Sequence, residues 1–155
     1  MRILFLGDVV GIAGCSILQN NLLSLINSKK IDFVIVNGEN AANSGVGITP
    51  DICKDFFNCG VDVITTGNHV WDQKEIMEFI EKENRLIRPK NLFEPAPGKG
   101  FEIYEAKNNI KVGVLNLMGN VFMKKCDDVF ETSEKFMKDY KLKKDYDFLI
   151  VDFHG

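Results

Sequence analysis

The sequence predicts an α/β fold in which a largely parallel sheet is flanked by helices. Five short apolar runs have the length of buried strands, at residues 2–6, 32–36, 61–65, 110–115 and 148–151. Helical patterns lie between several of them, and this alternation indicates βαβ units with parallel pairing. A chain of 155 residues that is 45% hydrophobic can bury one core, so we expect a single domain over residues 1–155.

The first two helices are predicted between the first three strands. The first helix is indicated by apolar residues at helical spacing, namely Ile17, Leu18, Leu22, Leu25 and Ile26. The second helix has a capping residue and a first-turn proline in Thr49-Pro50, and Gly60 suits its end. These signals fix both ends of the second helix.

The part that follows residue 70 has weaker signals. Asp72, followed three residues later by Glu75, resembles a capping box that opens a helix through Ile80. Residues 88–100 contain three prolines and two glycines, which predicts an irregular surface excursion. A hairpin-like pair is expected next, around residues 101–104 and 111–115.

Composition and charge exclude several classes of protein. A net charge of −3, with both signs mixed along the chain, gives no strong signal for nucleic acid or for an anionic membrane. The four cysteines form no Cys-x-x-Cys pair, which favours reduced thiols and a cytoplasmic location. No run near the start has the length of a membrane span. We therefore expect a soluble protein, and a homo-oligomer is left open.

Four predicted strands run directly into polar side chains. The motifs are Gly7-Asp8, Gly38-Glu39-Asn40, Gly67-Asn68-His69 and Asp152-Phe153-His154. Ligands of open parallel sheets bind outside the carboxyl ends of the strands, so these motifs are expected to converge on one edge. Their carboxylate, amide and imidazole groups suit divalent ions such as manganese, iron or zinc. Such a number of ligands is sufficient for two ions.

These four motifs resemble the calcineurin-like metallophosphoesterases and, among them, the bacterial YmdB-like branch. The run from Asn37 to Ala42 is distinctive of that branch, and the resemblance covers essentially the whole chain. It implies a sandwich of largely parallel sheets flanked by helices. It also implies a metal-dependent phosphodiesterase acting on small phosphodiesters, with 2′,3′- or 3′,5′-cyclic mononucleotides as plausible substrates.

The resemblance also assigns the site residues. The implied metal ligands are Asp8, Glu39, Asn40, Asn68 and His154. In this assignment Glu39 bridges two divalent ions. Asp8 and Asn40 hold one ion, and Asn68 and His154 hold the other. Iron or manganese is the implied metal, with zinc as the alternative. His69 is the implied catalytic acid, since an imidazole can protonate a leaving oxygen while the ions lower the pKa of a bound water.

The chain departs from the family pattern in several places. The superfamily has Asp-x-His at the first strand and a bridging aspartate, where this chain has Asp8-Val9-Val10 and Glu39, and both features fit the YmdB-like branch. That branch carries arginine where Asn120 stands. It also supplies a later histidine pair, one ligand for each ion, which the sequence through Gly155 does not contain. The resemblance thus implies a domain that is incomplete at its C-terminal end.

Other interpretations of the same residues remain open. Asp8 can cap the following helix, Asn68-His69 can cap a turn, and His154 can lie in a frayed end. The alternative function is a catalytically impaired nucleotide-binding or regulatory remnant, since each ion would lack a ligand. A flavodoxin-like module is a weaker third interpretation, because Val9 stands at the first glycine of Gly-x-Gly-x-x-Gly.

Overall fold

The computed structural model describes residues 1–93, 95–123 and 125–155 and contains two three-stranded sheets. The first sheet has the order β1 (Ile3–Leu6), β2 (Phe33–Asn37) and β3 (Val63–Thr65), and all three strands are parallel. The second sheet has the order β4 (Phe101–Ala106), β5 (Ile110–Met118) and β6 (Phe148–His154). In the second sheet, β4 pairs antiparallel with β5, and β6 pairs parallel with β5. The predicted α/β class and hairpin are confirmed.

Helices cover the outer faces of these sheets. They are α1 (Gly11–Lys29), α2 (Pro50–Asn58), α3 (Ile76–Ile80) and α4 (Val129–Asp139), and a short 3₁₀ turn at Lys107–Asn109 joins β4 to β5. The Thr49 side chain accepts a hydrogen bond from the Ile52 N–H at 3.3 Å, as the predicted cap requires. In the described part of the chain, no helix is long and apolar enough to cross a membrane.

Three details of the prediction are wrong. Ile17 is exposed although it belongs to the apolar residues at helical spacing, and the buried face of the first helix is formed by residues such as Leu18 and Leu22. The capping box does not form: the N-cap of α3 is Glu75, without a side-chain cap, and the Asp72 carboxylate bonds to His69 instead. Residues 88–100 are irregular, but they do not all lie at the surface. Arg88 is buried, and its guanidinium donates hydrogen bonds to backbone carbonyls. Residue 94 lies outside the described residues.

The two sheets pack face to face, with helices outside them. Alternate residues of a strand point to opposite faces, so β2 serves two layers. The interface between the sheets contains Phe33, Ile35, Val63, Val112 and Val114. The opposite face of the first sheet packs against α1 and α2 through Val34, Val36, Ile64, Leu22 and Phe56. On the second sheet, Phe136 of α4 packs against Leu115 and Leu117.

Replacing Phe136 with alanine is expected to destabilise the fold by about 3–5 kcal/mol, because a buried aromatic ring leaves a cavity. Phe136 is buried, and its ring centroid lies 4.7 Å from that of Phe101 and 5.2 Å from that of Tyr140. The control is Phe130→Ala in the same helix, which should change stability by no more than about 0.5 kcal/mol because Phe130 is exposed. Urea unfolding measures both, and equal losses would contradict this packing.

Candidate metal centre

Side chains from four strand ends meet at one edge of the sandwich. Asp8 follows β1, Glu39 and Asn40 follow β2, Asn68 and His69 follow β3, and His154 ends β6. The Asn40 amide nitrogen lies 2.8 Å from Asp8 Oδ1 and 3.2 Å from Glu39 Oε1. On the other side, His154 Nε2 lies 2.7 Å from Asn68 Oδ1 and 3.3 Å from Glu39 Oε1. Glu39 therefore contacts both halves of the cluster.

Asp8 does not cap the first helix. The N-cap of α1 is Val10, which makes no side-chain cap hydrogen bond. Asp8 instead has a left-handed backbone with φ of 48°, which is unfavourable for a residue other than glycine. The Val9 N–H donates to the Asn37 carbonyl at 3.0 Å and holds this turn against the end of β2. The strained turn directs Asp8 towards Asn40.

Glu39 is buried without full hydrogen bonding. Its side chain is only 3% exposed, and its Oε2 atom has no hydrogen-bond partner among the described residues. Burial raises the pKa of the Glu39 carboxyl, against the attraction of His154 and His69, and the charge of Asp8 raises it further. A buried carboxylate oxygen that lacks a partner is unfavourable in the folded protein, and a bound cation would satisfy it.

Gly67 permits the close contact between Glu39 and His154. A Cβ atom at this position would lie 1.9 Å from Glu39 Oε2 and 2.6 Å from His154 Cγ. Any other residue would therefore displace one or both side chains. The glycine that precedes the Asn68-His69 motif is required by this packing and not only by the turn.

His154 lies in an ordered strand and not in a frayed end. It is paired with Met118 in the register of β5 and β6, and its carbonyl accepts the Gly119 N–H at 2.8 Å. Its side chain is 18% exposed. The strand thus holds the imidazole against Asn68 and Glu39.

A second group of polar residues supports the cluster and was not assigned from the sequence. The Asn37 amide donates to Asp152 Oδ2 at 2.8 Å, and both residues are buried. Asn116 Oδ1 accepts the Thr66 N–H at 3.0 Å, and its amide donates to the Asp152 carbonyl at 3.3 Å. These bonds connect the two sheets beside the cluster. The available signal was a polar residue placed directly after or within an apolar strand.

The donor set fits a divalent metal ion. Carboxylate and amide oxygens with an imidazole nitrogen are usual ligands of such ions. In the described residues, no group of three or more His, Cys, Asp and Glu side chains is arranged to hold a metal. A metal site at these strand ends would therefore also need the amide oxygens of Asn40 and Asn68. The Asn40 amide nitrogen contacts the carboxylates of Asp8 and Glu39. A bound cation would interact with the same carboxylate oxygens more strongly than this amide does.

The metal-free protein is expected to lose stability relative to Glu39→Gln as the pH rises. Burial raises the folded-state pKa of Glu39 above its ordinary value of 4.5, so the folded chain binds more protons than the unfolded chain in that window. The stability gained from protonated Glu39 is complete below about pH 4.5 and decreases as the pH rises through the folded-state pKa. Urea unfolding with a chelator, at several pH values, measures the difference; a difference that does not change with pH would contradict it.

Two solved structures share this fold. The crystal structure of a hypothetical protein from Thermus thermophilus is 32% identical, with a TM-score of 0.89, over 99% of this chain and 57% of that chain. The crystal structure of a novel phosphatase from Mycoplasma pneumoniae is 34% identical, with a TM-score of 0.87, over 99% of this chain and 55% of that chain. The fold is therefore shared with a protein described as a phosphatase.

The chain belongs to the YmdB-like protein family, whose sequence profile matches residues 4–155. The 2′,3′-cyclic-nucleotide 2′-phosphodiesterase of Bacillus subtilis (strain 168) is 41% identical over 155 residues, which are 100% of this chain and 57% of that protein. The resemblance of the four motifs to the YmdB-like branch is confirmed. The chain spans little more than half the length of the relatives it matches.

Proposed function

We propose that this chain carries the metal-binding strand ends of a phosphodiesterase that acts on small phosphodiesters through two divalent ions. The observation that supports this most strongly is the buried Glu39 carboxylate, which lies between two groups of ligands and has one oxygen without a partner in the described residues. Asp8 and Asn40 form the group on one side, and Asn68 and His154 form the other. This position between the two groups supports the proposal that Glu39 bridges the ions.

The proposed chemistry divides between the ions and the chain. When bound, the ions supply positive charge that offsets the charge developing on the phosphoryl oxygens. Asp8, Glu39, Asn40, Asn68 and His154 hold them at the strand ends. His69 stands beside this group with its side chain 31% exposed, and it donates a proton to the leaving oxygen. Iron or manganese is the proposed metal, and zinc is the alternative.

A cyclic mononucleotide is the proposed substrate. A cavity of about 260 Å³ opens beside the cluster and is lined by Asp8, His154, Phe5 and Phe153, among others. Both phenylalanine rings are exposed. Such rings offer stacking contacts to a base while the phosphodiester lies near the ligands. The described cysteines are free thiols, which supports a cytoplasmic location for the activity.

The test is hydrolysis of 2′,3′-cyclic AMP and of bis(p-nitrophenyl) phosphate with Mn²⁺, Fe²⁺ or Zn²⁺, each compared with a chelator. We expect turnover that requires metal. The control variant is Asp51→Ala, which removes an exposed carboxylate paired with Lys54 and should leave turnover unchanged. Failure of all three metals to give turnover with either substrate would overturn the proposed activity.

The second candidate is a protein that binds cyclic nucleotides without hydrolysing them. It is favoured by one observation: in the described part of the chain, no metal site is formed by His, Cys, Asp and Glu alone. Equilibrium dialysis with labelled 2′,3′-cyclic AMP separates the two candidates. Binding that does not depend on metal, without turnover, would support the second.

A further inference from the structure

We propose that Asp72 is a positioning residue that fixes the orientation and the tautomer of the His69 imidazole. The effect of Asp72 on catalysis rests on the proposed function, whereas its effect on the His69 ring rests on the geometry of the two side chains. Asp72 Oδ2 lies 2.6 Å from His69 Nδ1, a short distance for such a bond, and both side chains are about 30% exposed. The sequence pattern assigned Asp72 to a helix cap that does not exist.

The two residues are held in one rigid turn. The Asp72 N–H donates to the His69 carbonyl at 3.1 Å, so the backbone closes the same four-residue segment that the side chains close. Between them, Val70 is buried and belongs to the core, and Trp71 packs partly against it. Next in the chain, the Gln73 side chain donates to the Val46 carbonyl at 2.9 Å and anchors the turn to the neighbouring loop. The contact is therefore held by packing on both sides.

The bond determines which imidazole nitrogen is available. A carboxylate accepts hydrogen bonds and does not donate them, so the Asp72 oxygen selects the form of His69 that carries a proton on Nδ1. Nε2 is then the nitrogen that exchanges a proton with a leaving oxygen. The bond also fixes the orientation of the ring. The imidazole therefore loses less conformational freedom when it reaches the geometry for proton transfer.

Nitrogen-15 NMR of the metal-free protein tests the tautomer without any activity. The chain has only two histidines, so comparison with His69→Gln assigns the signals. Spectra recorded above the titration range of imidazole should show His69 with its proton on Nδ1. Asp72→Ala should shift it towards the Nε2–H form that free imidazole prefers, and so should Asp72→Asn, whose amide N–H group can donate to Nδ1. An Nε2–H form of His69 in the unmodified protein would overturn the proposal whatever the variants do.

Kinetics test the catalytic part. We expect Asp72→Ala to lower kcat on 2′,3′-cyclic AMP by about 10²-fold with little change in KM. The kcat on bis(p-nitrophenyl) phosphate should fall far less, because its leaving group needs no proton. His69→Gln should give the same pattern, and the double variant of His69→Gln and Asp72→Ala should lose no more activity than His69→Gln alone. Equal losses on both substrates would overturn positioning. Absence of turnover in the unmodified chain would overturn the proposed function instead, and the NMR result would still decide the role of Asp72.

Discussion

Glu39→Gln is expected to lower the affinity for Mn²⁺ by at least about 100-fold and to remove metal-dependent turnover. Removal of a group that only supports a metal ligand already costs about 10–100-fold in affinity, and Glu39 is proposed to contact both ions directly. The amide keeps the size of the side chain but removes its charge and one ligand oxygen. Calorimetric titration with Mn²⁺ and the hydrolysis assay measure the two effects.

The matched control for this change is Glu81→Gln. It removes the same charge from an exposed residue at the end of α3, away from the strand-end cluster. We expect Mn²⁺ affinity and turnover to stay near those of the unmodified chain. If Glu39→Gln behaved like this control, Glu39 would not be a bridging ligand.

Gly67→Ala is expected to disrupt the cluster although it removes no ligand. The new Cβ would lie 1.9 Å from Glu39 Oε2 and 2.6 Å from His154 Cγ, so both side chains must move away from the positions that place them together. Overpacking of this kind costs about 1–3 kcal/mol of stability. Metal affinity should fall as well, because the two sides of the site would be separated. Urea unfolding and Mn²⁺ titration measure these losses.

Gly7→Ala provides the comparison, since Gly7 also precedes a proposed ligand at a strand end. A Cβ atom there would meet only a Phe5 ring carbon at 3.9 Å, which is an ordinary contact. We expect stability and metal affinity close to those of the unmodified chain. Similar effects of the two substitutions would show that the space beside Gly67 does not determine the site.

The sequence predicted the strand ends well because their signals are local. A short apolar run followed by glycine and a polar residue marks where a strand stops, and this rule placed Asp8, Glu39 and Asn68 without long-range information. His154 follows its apolar run without a glycine, and β6 continues through it. The Thr49-Pro50 start of α2 was equally local, and the structure contains it. These features depend on the chemistry of a few adjacent residues.

The parts that the sequence did not predict depend on contacts between distant elements. The bond between Asn37 and Asp152 joins residues 115 positions apart, and it forms only because two separate sheets stack. Asp72 matched a capping pattern, yet the nearby imidazole of His69 provided a better partner for its carboxylate. No periodicity in the sequence distinguishes these outcomes.

The most direct test of the account is the number of Mn²⁺ ions bound per chain at neutral pH, measured by equilibrium dialysis for the unmodified chain and for Glu39→Gln. The account predicts two ions in the unmodified chain and fewer than one in the variant. Equal binding by both proteins, or none by the unmodified chain, would contradict the assignment of the strand ends as a two-metal site.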